Sequence, residues 1–338
     1  MEKVRISDIA KKLNISRNTV SKVFNNRGCV SDQTRDEVIQ TAIELGYENI
    51  PHDWVAKKRA KNILVIATAP DYSQYWGEII NGIIEKMEKQ DYNCFYHFLS
   101  PQQMKGFTLP EMLIGNNISG IIVMNVYEPK AIELINQLSI PTVYFDIPLV
   151  CDDWEINGDI ILVEGRRSVM KVTRKFIDQG LSKIGFIGDI TYCKSIFERW
   201  CGFTQAMDIA GLEINKDYCL TQSSGGRFYC HNEVGFQIDE LFRKGIGVPE
   251  AFVCANDAIA YGLMDELKQK GYAVSEDVKV SGFDGTVDND HQYKLFSTVK
   301  VETKYIGIRL AEQMIWRIQN HNRQYEIIKI NGDLTWNQ

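Results

Sequence analysis

From residue 62 onward, short apolar runs alternate with amphipathic stretches of helix length, and this alternation limits the fold more than any other feature of the chain. The runs are Ile63–Ala67, Cys94–Leu99, Gly120–Met124, Thr142–Phe145, Ile184–Ile187, Ala251–Ala255 and Val278–Phe283. Between them, residues 75–90, 129–137, 166–179, 196–210, 232–244 and 257–270 carry a helical repeat. Strands alternating with helices predict parallel sheets covered on both faces. There are too many units for one compact sheet, so the pattern predicts an α/β body, residues 62–338, of two Rossmann-like lobes. The first takes residues 62–160 and 293–325, the second 161–292 and 326–338. The acidic, turn-rich stretch Asp146–Asp159 reads as the first crossing between them. A return near 286–296 and a last crossing near 326–331 would complete a three-stranded hinge.

The chain has 338 residues, room for two or three domains. No apolar run approaches the ~20 residues needed to span a bilayer, and the first residues lack the apolar core of a secretion signal. Eight cysteines are scattered without a Cys-x-x-Cys pair. That usage predicts reduced thiols in a cytoplasm, with no disulfide framework and no structural zinc. The net charge of −6 hides an asymmetry: residues 1–62 hold 12 Lys/Arg against 8 Asp/Glu, so the remainder is strongly acidic. A basic head on an acidic body suits a chain of which one end approaches a polyanion.

That head reads as three short helices. Ile6, Ile9, Ala10 and Leu13 share one helical face over residues 7–13, with Ser7 as the expected N-cap. Asn14 suits the left-handed turn that follows. Ser16 caps a second helix with Val20, Val23 and Phe24 inside and Arg17, Asn18, Ser21, Lys22 and Asn25 outside. A third starts after Ser31, runs to about Leu45 and stops at Gly46. Two short helices, a tight turn and a supporting helix make a helix-turn-helix over residues 1–50. Arg can fork onto guanine and Asn onto adenine in the major groove. Arg17 and Asn18 lie in the first turn, the part of a recognition helix that reaches base edges.

The second reading of site residues comes from the strand ends, where open α/β sheets bind ligands. Asp71 follows the first strand, and Tyr75 and Trp76 open the next helix. Asn256 and Asp257 follow Ala251–Ala255, Asp284 follows Val280–Phe283, and Arg199 lies on the helix after Gly188–Asp189. A guanidinium, carboxylates, an amide and an aromatic face suit a polyhydroxylated ligand. Singly, Asp257 is equally a helix cap, Asp284 a turn residue, Trp76 core and Arg199 one half of a surface pair.

The runs Ile6-Ser7-Asp8-Ile9-Ala10, Ile15 to Asn25, Val30-Ser31-Asp32-Gln33-Thr34-Arg35 and Glu44-Leu45-Gly46-Tyr47 resemble the headpiece of the lactose repressor (LacI/GalR) family. Pro70 to Trp76, Glu198 to Phe203, Cys254-Ala255-Asn256-Asp257 and Gly282-Phe283-Asp284 are similar to the family's effector-domain motifs. The resemblance covers nearly the whole chain. It implies a homodimeric repressor that reads a near-palindromic double-stranded operator and a domain like the periplasmic sugar-binding proteins that takes a small effector, a carbohydrate. Position by position it makes Arg17 and Asn18 the main base readers and Lys22 a further one. Ser16, Thr19, Ser21, Asn25, Ser31 and Thr34 would position phosphates. Trp76 would stack on the effector, Arg199, Asn256 and Asp284 would hydrogen-bond it, and Phe228 would be a second wall. No cofactor, metal or membrane is implied.

The sequence departs from the family twice. Its members place a hinge helix with a groove-wedging leucine after the headpiece, yet no leucine occurs between Leu45 and Leu64. Residues 51–61 offer Trp54 or Val55 as the wedge on a helix over 51–58, or equally a flexible charged linker. Where the family usually has Asp-Asn after a valine, Val163 is followed by Glu164-Gly165.

An enzyme is not expected. Gly185-Phe186-Ile187-Gly188-Asp189 lacks the third glycine of a dinucleotide loop, and Gly-x-Ser-x-Gly and His-Glu-x-x-His strings are missing. A sugar-binding α/β protein with no DNA role would leave residues 1–50 without purpose. A regulator answering to a protein partner stays open. Nor does the C-terminal stretch carry the leucine heptads of a tetramerising coiled coil.

Overall fold

A computed structural model describes residues 4–25, 30–47, 50, 61–68, 74–113, 118–223, 231–286 and 296–337. Trp54, Val55, Asp71, Phe228 and the expected hinge helix over 51–58 lie outside the described residues.

The head forms α1 (Ile6–Leu13), α2 (Arg17–Phe24) and α3 (Asp32–Leu45). They close on a core of Ile9, Ala10, Val20, Val23, Val38, Ile39 and Ala42, and Phe24 stacks on Tyr47 at 5.2 Å. Asn14 makes the turn at φ 54°, and Gly46 ends α3 at φ 75°. The expected cap at Ser7 is corrected: α1 begins at Ile6, and Ser7 lies within it. Asp8 does the capping instead, its carboxylate accepting the Arg5 N–H at 2.7 Å. A charged acceptor in the first turn also complements the helix dipole.

Among the described residues the body contains two six-stranded sheets. The first is built from β1 (Asn62–Thr68), β2 (Asn93–Leu99), β3 (Gly120–Met124), β4 (Thr142–Phe145), β5 (Asp159–Val163) and β11 (Ile327–Ile330), in the order β11-β5-β4-β3-β1-β2 and parallel throughout. The second holds β6 (Ile184–Ile187), β7 (Cys219–Leu220), β8 (Ala251–Cys254), β9 (Lys279–Asp284), β10 (Ser297–Lys300) and β12 (Asp333–Thr335), ordered β12-β10-β9-β8-β6-β7. Only β12 runs antiparallel, against β10.

Among the helices, α4 (Gln74–Glu88), the short α5 (Pro101–Lys105), α6 (Pro129–Asn136) and α11 (Thr303–Gln319) belong with the first sheet. In the second lobe are α7 (Arg166–Asp178), α8 (Lys194–Ile209), α9 (His231–Arg243) and α10 (Asp257–Gln269). α4 and α11 cross in backbone contact, which needs glycine on both sides. A Cβ on Gly307 would lie 2.0 Å from the Ile79 carbonyl oxygen, and one on Gly82 2.1 Å from that of Lys304.

The lobe boundaries differ from the sequence expectation in three places. All of β5 belongs to the first sheet, so the first crossing follows Val163 and not Asp146–Asp159. That acidic loop stays in the first lobe, pinned to α6: Asn136 Nδ2 donates to the Glu155 carbonyl at 2.9 Å, and Asn157 N donates to Asn136 Oδ1 at 3.0 Å. β10 lies in the second sheet, placing the return after Lys300; its Ser-Thr-Val-Lys sequence lacks the apolar run that would mark it. Ile327–Ile330 pairs with β5 in the first lobe, and Asp333–Thr335 returns to the second. Both are edge strands of mixed polarity, so hydrophobicity does not assign them to a lobe. Three crossings remain, at shifted positions.

Candidate functional site

On the head, α2 turns Val20 and Val23 inward, so the helical repeat puts Arg17, Asn18 and Lys22 on the outer, exposed face. Ser16 Oγ accepts the Thr19 N–H at 3.0 Å and lies 2.8 Å from Thr19 Oγ1. Asn25 Nδ2 donates to the Ser21 carbonyl at 2.8 Å. At the start of α3, Ser31 Oγ accepts the Thr34 N–H at 3.2 Å. These hydroxyls and the amide therefore fix the ends of the helices while lying at the surface. Arg17, Asn18 and Lys22 make no hydrogen bond or ion pair with other described residues.

In the body, the strand-end residues of the two lobes converge. Tyr75 and Trp76 stand in the first turn of α4, edge to face at 5.1 Å, and Trp76 packs against Phe145 at 6.0 Å. From the other lobe, α8 supplies Arg199, which is only 6% exposed. Its Nη1 donates to the Ala255 carbonyl, its Nη2 lies 3.7 Å from Asp284 Oδ1, and its guanidinium covers the Phe283 ring at 3.7 Å. A surface pair is thereby ruled out for Arg199. Asp284 ends β9 at φ 110°, a strained conformation of the kind that collects at functional sites.

Asn256 and Asp257 divide their work. Asn256 Oδ1 accepts the Ile259 N–H at 2.9 Å and so caps α10, while its amide nitrogen remains a donor. Asp257 is completely buried. Its Oδ1 accepts from Thr298 Oγ1 at 2.7 Å and its Oδ2 from Thr286 N at 2.7 Å. Burial and the nearby Asp284 charge push its carboxyl up to about 8. Burial likewise raises Asp284 to about 6, although Arg199 pulls the other way. The Tyr75 phenol is pushed well up, mainly by burial and then by the Asp284 charge, which places it within the same electrostatic cluster.

Asp146 was missed by the sequence reading. It follows β4, and its Oδ1 accepts the Ile147 N–H at 2.9 Å and, across the lobes, the Ser195 N–H at 3.2 Å. Burial raises its carboxyl, with Arg199 opposing. Nearby, Lys194 N donates to the Ile147 carbonyl at 3.0 Å, and Tyr127 meets Tyr192 at 4.6 Å. The rule that found Asp284, a polar residue directly after an apolar run, would also have found Asp146. Glu164, at the departure from the family pattern, holds the start of α7: its Oε1 accepts the Arg167 N–H at 2.7 Å. A cavity of about 840 Å³ beside α6, lined by Asn136, Cys151, Glu155 and Tyr325 among others, shares no residue with this cleft.

Known proteins place both regions. Residues 5–49 match the family described as bacterial regulatory proteins, lacI family, and residues 173–335 match a periplasmic binding protein-like domain. Similar relatives are the HTH-type transcriptional repressors PurR of Histophilus somni strain 129Pt and of Haemophilus influenzae strain Rd. Each is 28% identical, over 97% of this chain and 96% of that protein. Among solved structures, the transcriptional regulator CelR–cellobiose complex superposes with a TM-score of 0.71 at 20% identity, covering 98% of both chains. The lac repressor dimer bound to operator and the anti-inducer ONPF gives 0.67 at 20% identity, covering 99% of this chain and 98% of that one. These structures share the fold. The chain thus joins a lacI-family helix-turn-helix head to a periplasmic-binding-protein-like body, and it resembles PurR repressors along nearly its whole length.

Proposed function

We propose that this protein is a homodimeric transcriptional repressor acting in the cytoplasm. It reads a near-palindromic double-stranded operator through α2, and a small molecule held between the lobes sets its operator affinity. The observation that carries the reading is the exposed Arg17, Asn18 and Lys22 on a helix whose other face is locked into the head. Arg17 and Asn18 read base edges from the first turn and Lys22 one turn later. Ser16, Thr19, Ser21, Asn25, Ser31 and Thr34 set the phosphate register. In the cleft, Trp76 and Tyr75 cover a ring, and Arg199, Asn256 and Asp284 bond its substituents. A carbohydrate is the proposed effector, in keeping with the cellobiose bound by CelR and the ribose bound to a LacI-family regulator from Enterococcus faecium, whose structure superposes with a TM-score of 0.66.

Changing the lobe angle would move the paired heads and so link the two sites, with a coupling of typically ~1–3 kcal/mol. The test is selection from a random duplex library with purified protein, then titration of the winning site with and without sugars. Arg199→Ala should abolish the sugar response and leave operator affinity without sugar unchanged. A protein that prefers no duplex over random competitor defeats the proposal.

A further inference from the structure

We propose that the cleft selects a ligand with no anionic group, so that a phosphorylated or carboxylated counterpart of its effector is rejected. This rests on the reading above, in which the cleft takes a small molecule, and goes on to name the charge class of that molecule.

The cations come first. α8 brings Lys194 and Arg199 to this end of the second lobe, and both already have carboxylate partners. Lys194 is paired with Asp153 of the first lobe. Arg199 is committed on three sides: to the Ala255 carbonyl, to Asp284, and to the Phe283 ring. Asp146, itself buried, adds a second carboxylate from the opposite lobe. Among the described residues, two buried carboxylates near one guanidinium leave no positive charge to compensate an incoming phosphate, and an uncompensated buried charge is costly. Burial already holds Asp284 and Asp257 above the usual carboxylate range, to about 6 and about 8. A further anion would meet the same deficit.

At three helix starts beside the cleft the other device for holding anions, open N–H groups, is also taken. Glu164 caps α7, Asp146 accepts an N–H of the first turn of α8, and Asn256 caps α10. What the described residues leave for a ligand carries no uncompensated positive charge: the aromatic faces of Tyr75 and Trp76, the Asn256 amide nitrogen, and Arg199 Nε, which has no hydrogen-bond partner. An uncharged, hydroxylated ring fits that set.

The experiment uses the full chain. Thermal unfolding and tryptophan fluorescence are followed with glucose, ribose and cellobiose, and with glucose 6-phosphate, ribose 5-phosphate and glucuronate at matched ionic strength. Inorganic phosphate is compared with chloride. The expected result is binding of at least one neutral probe, its anionic counterpart at least tenfold weaker, and no stabilisation by phosphate beyond chloride. Asp284→Asn, which releases the guanidinium, should narrow that tenfold gap; Asp146→Asn serves if that variant does not fold. An anionic probe binding more tightly than its neutral counterpart overturns the inference and leaves the small-molecule reading standing. Phosphate stabilisation that Arg199→Gln removes does the same. Silence with every probe, operator binding intact, overturns both.

Discussion

Arg317 and Asp159 form a two-point ion pair in full burial: Nη2 reaches Oδ1 at 2.5 Å and Nε reaches Oδ2 at 2.9 Å. Gln313 Nε2 donates to the same carboxylate at 2.7 Å, and Glu326 N does so at 2.8 Å. Arg317 also donates to the carbonyls of Arg323 and Gln324, at 2.7 and 2.8 Å. The pair thus ties the end of α11, and the turn that leads into β11, to the start of β5. Removing one partner strands the other charge, so Arg317→Ala should cost about 3–5 kcal/mol in urea unfolding. Replacing both, as Asp159→Leu with Arg317→Met, should cost clearly less. A double variant as unstable as the single one would refute this account.

Asp257 makes stability depend on pH. Its folded-state carboxyl is raised to about 8 by burial and by Asp284, while Thr298 and Thr286 lower it and Cys254 lies close by. A raised carboxyl stabilises the fold below its unfolded value, and this stabilisation is lost as pH rises through about 8. Asp257→Asn cannot ionise and keeps an acceptor for the threonines. Its melting temperature relative to wild type should therefore climb between about pH 5 and 8 and level off above. Parallel curves across that range would show that Asp257 does not titrate there.

Arg17→Ala should weaken operator binding by about 1–3 kcal/mol and relax preference at one base position. Lys22→Ala should act at a different position. Equal weakening on every duplex would assign Arg17 to phosphate contact instead. For the intact protein, affinity should fall steeply with added salt as bound counterions are released; a flat response in a filter-binding titration would remove the electrostatic part of the argument.

Ser16 accepts the Thr19 N–H, so Ser16→Ala should destabilise the head by about 1 kcal/mol. The loss should appear in hydrogen exchange at α2 and spare the amides of β3 and β4. Uniform loss of protection across both regions would mean that head and body unfold as one unit.

Where the sequence was legible, the reason was a strong periodic signal. Gly120–Met124 and Thr142–Phe145 are wholly buried strands, read at their exact bounds because every side chain is apolar or β-branched. α11 went unread because Gly307 and the buried Gln313 and Arg317 interrupt its apolar stripe. Asp159 hid β5 in the same way: an acidic residue heads the strand, and its buried charge is paired with a distant arginine. In the cleft, Arg199 and Asp284 followed from their places after strands, but their partnership did not, since it depends on how far β9 and α8 approach one another. Asp146 was lost because the acidic residues behind it made the whole loop look like a linker.

The threading of β11 and β12 has a consequence for synthesis. Each is the outermost strand of a different sheet, and only residues 331 and 332 separate them. A ribosome that has delivered 326 residues has therefore finished neither lobe, and the next few amino acids complete both almost together. A stop codon at position 327 should strip one border from each sheet in a single stroke, leaving a chain prone to aggregate rather than a body missing one lobe.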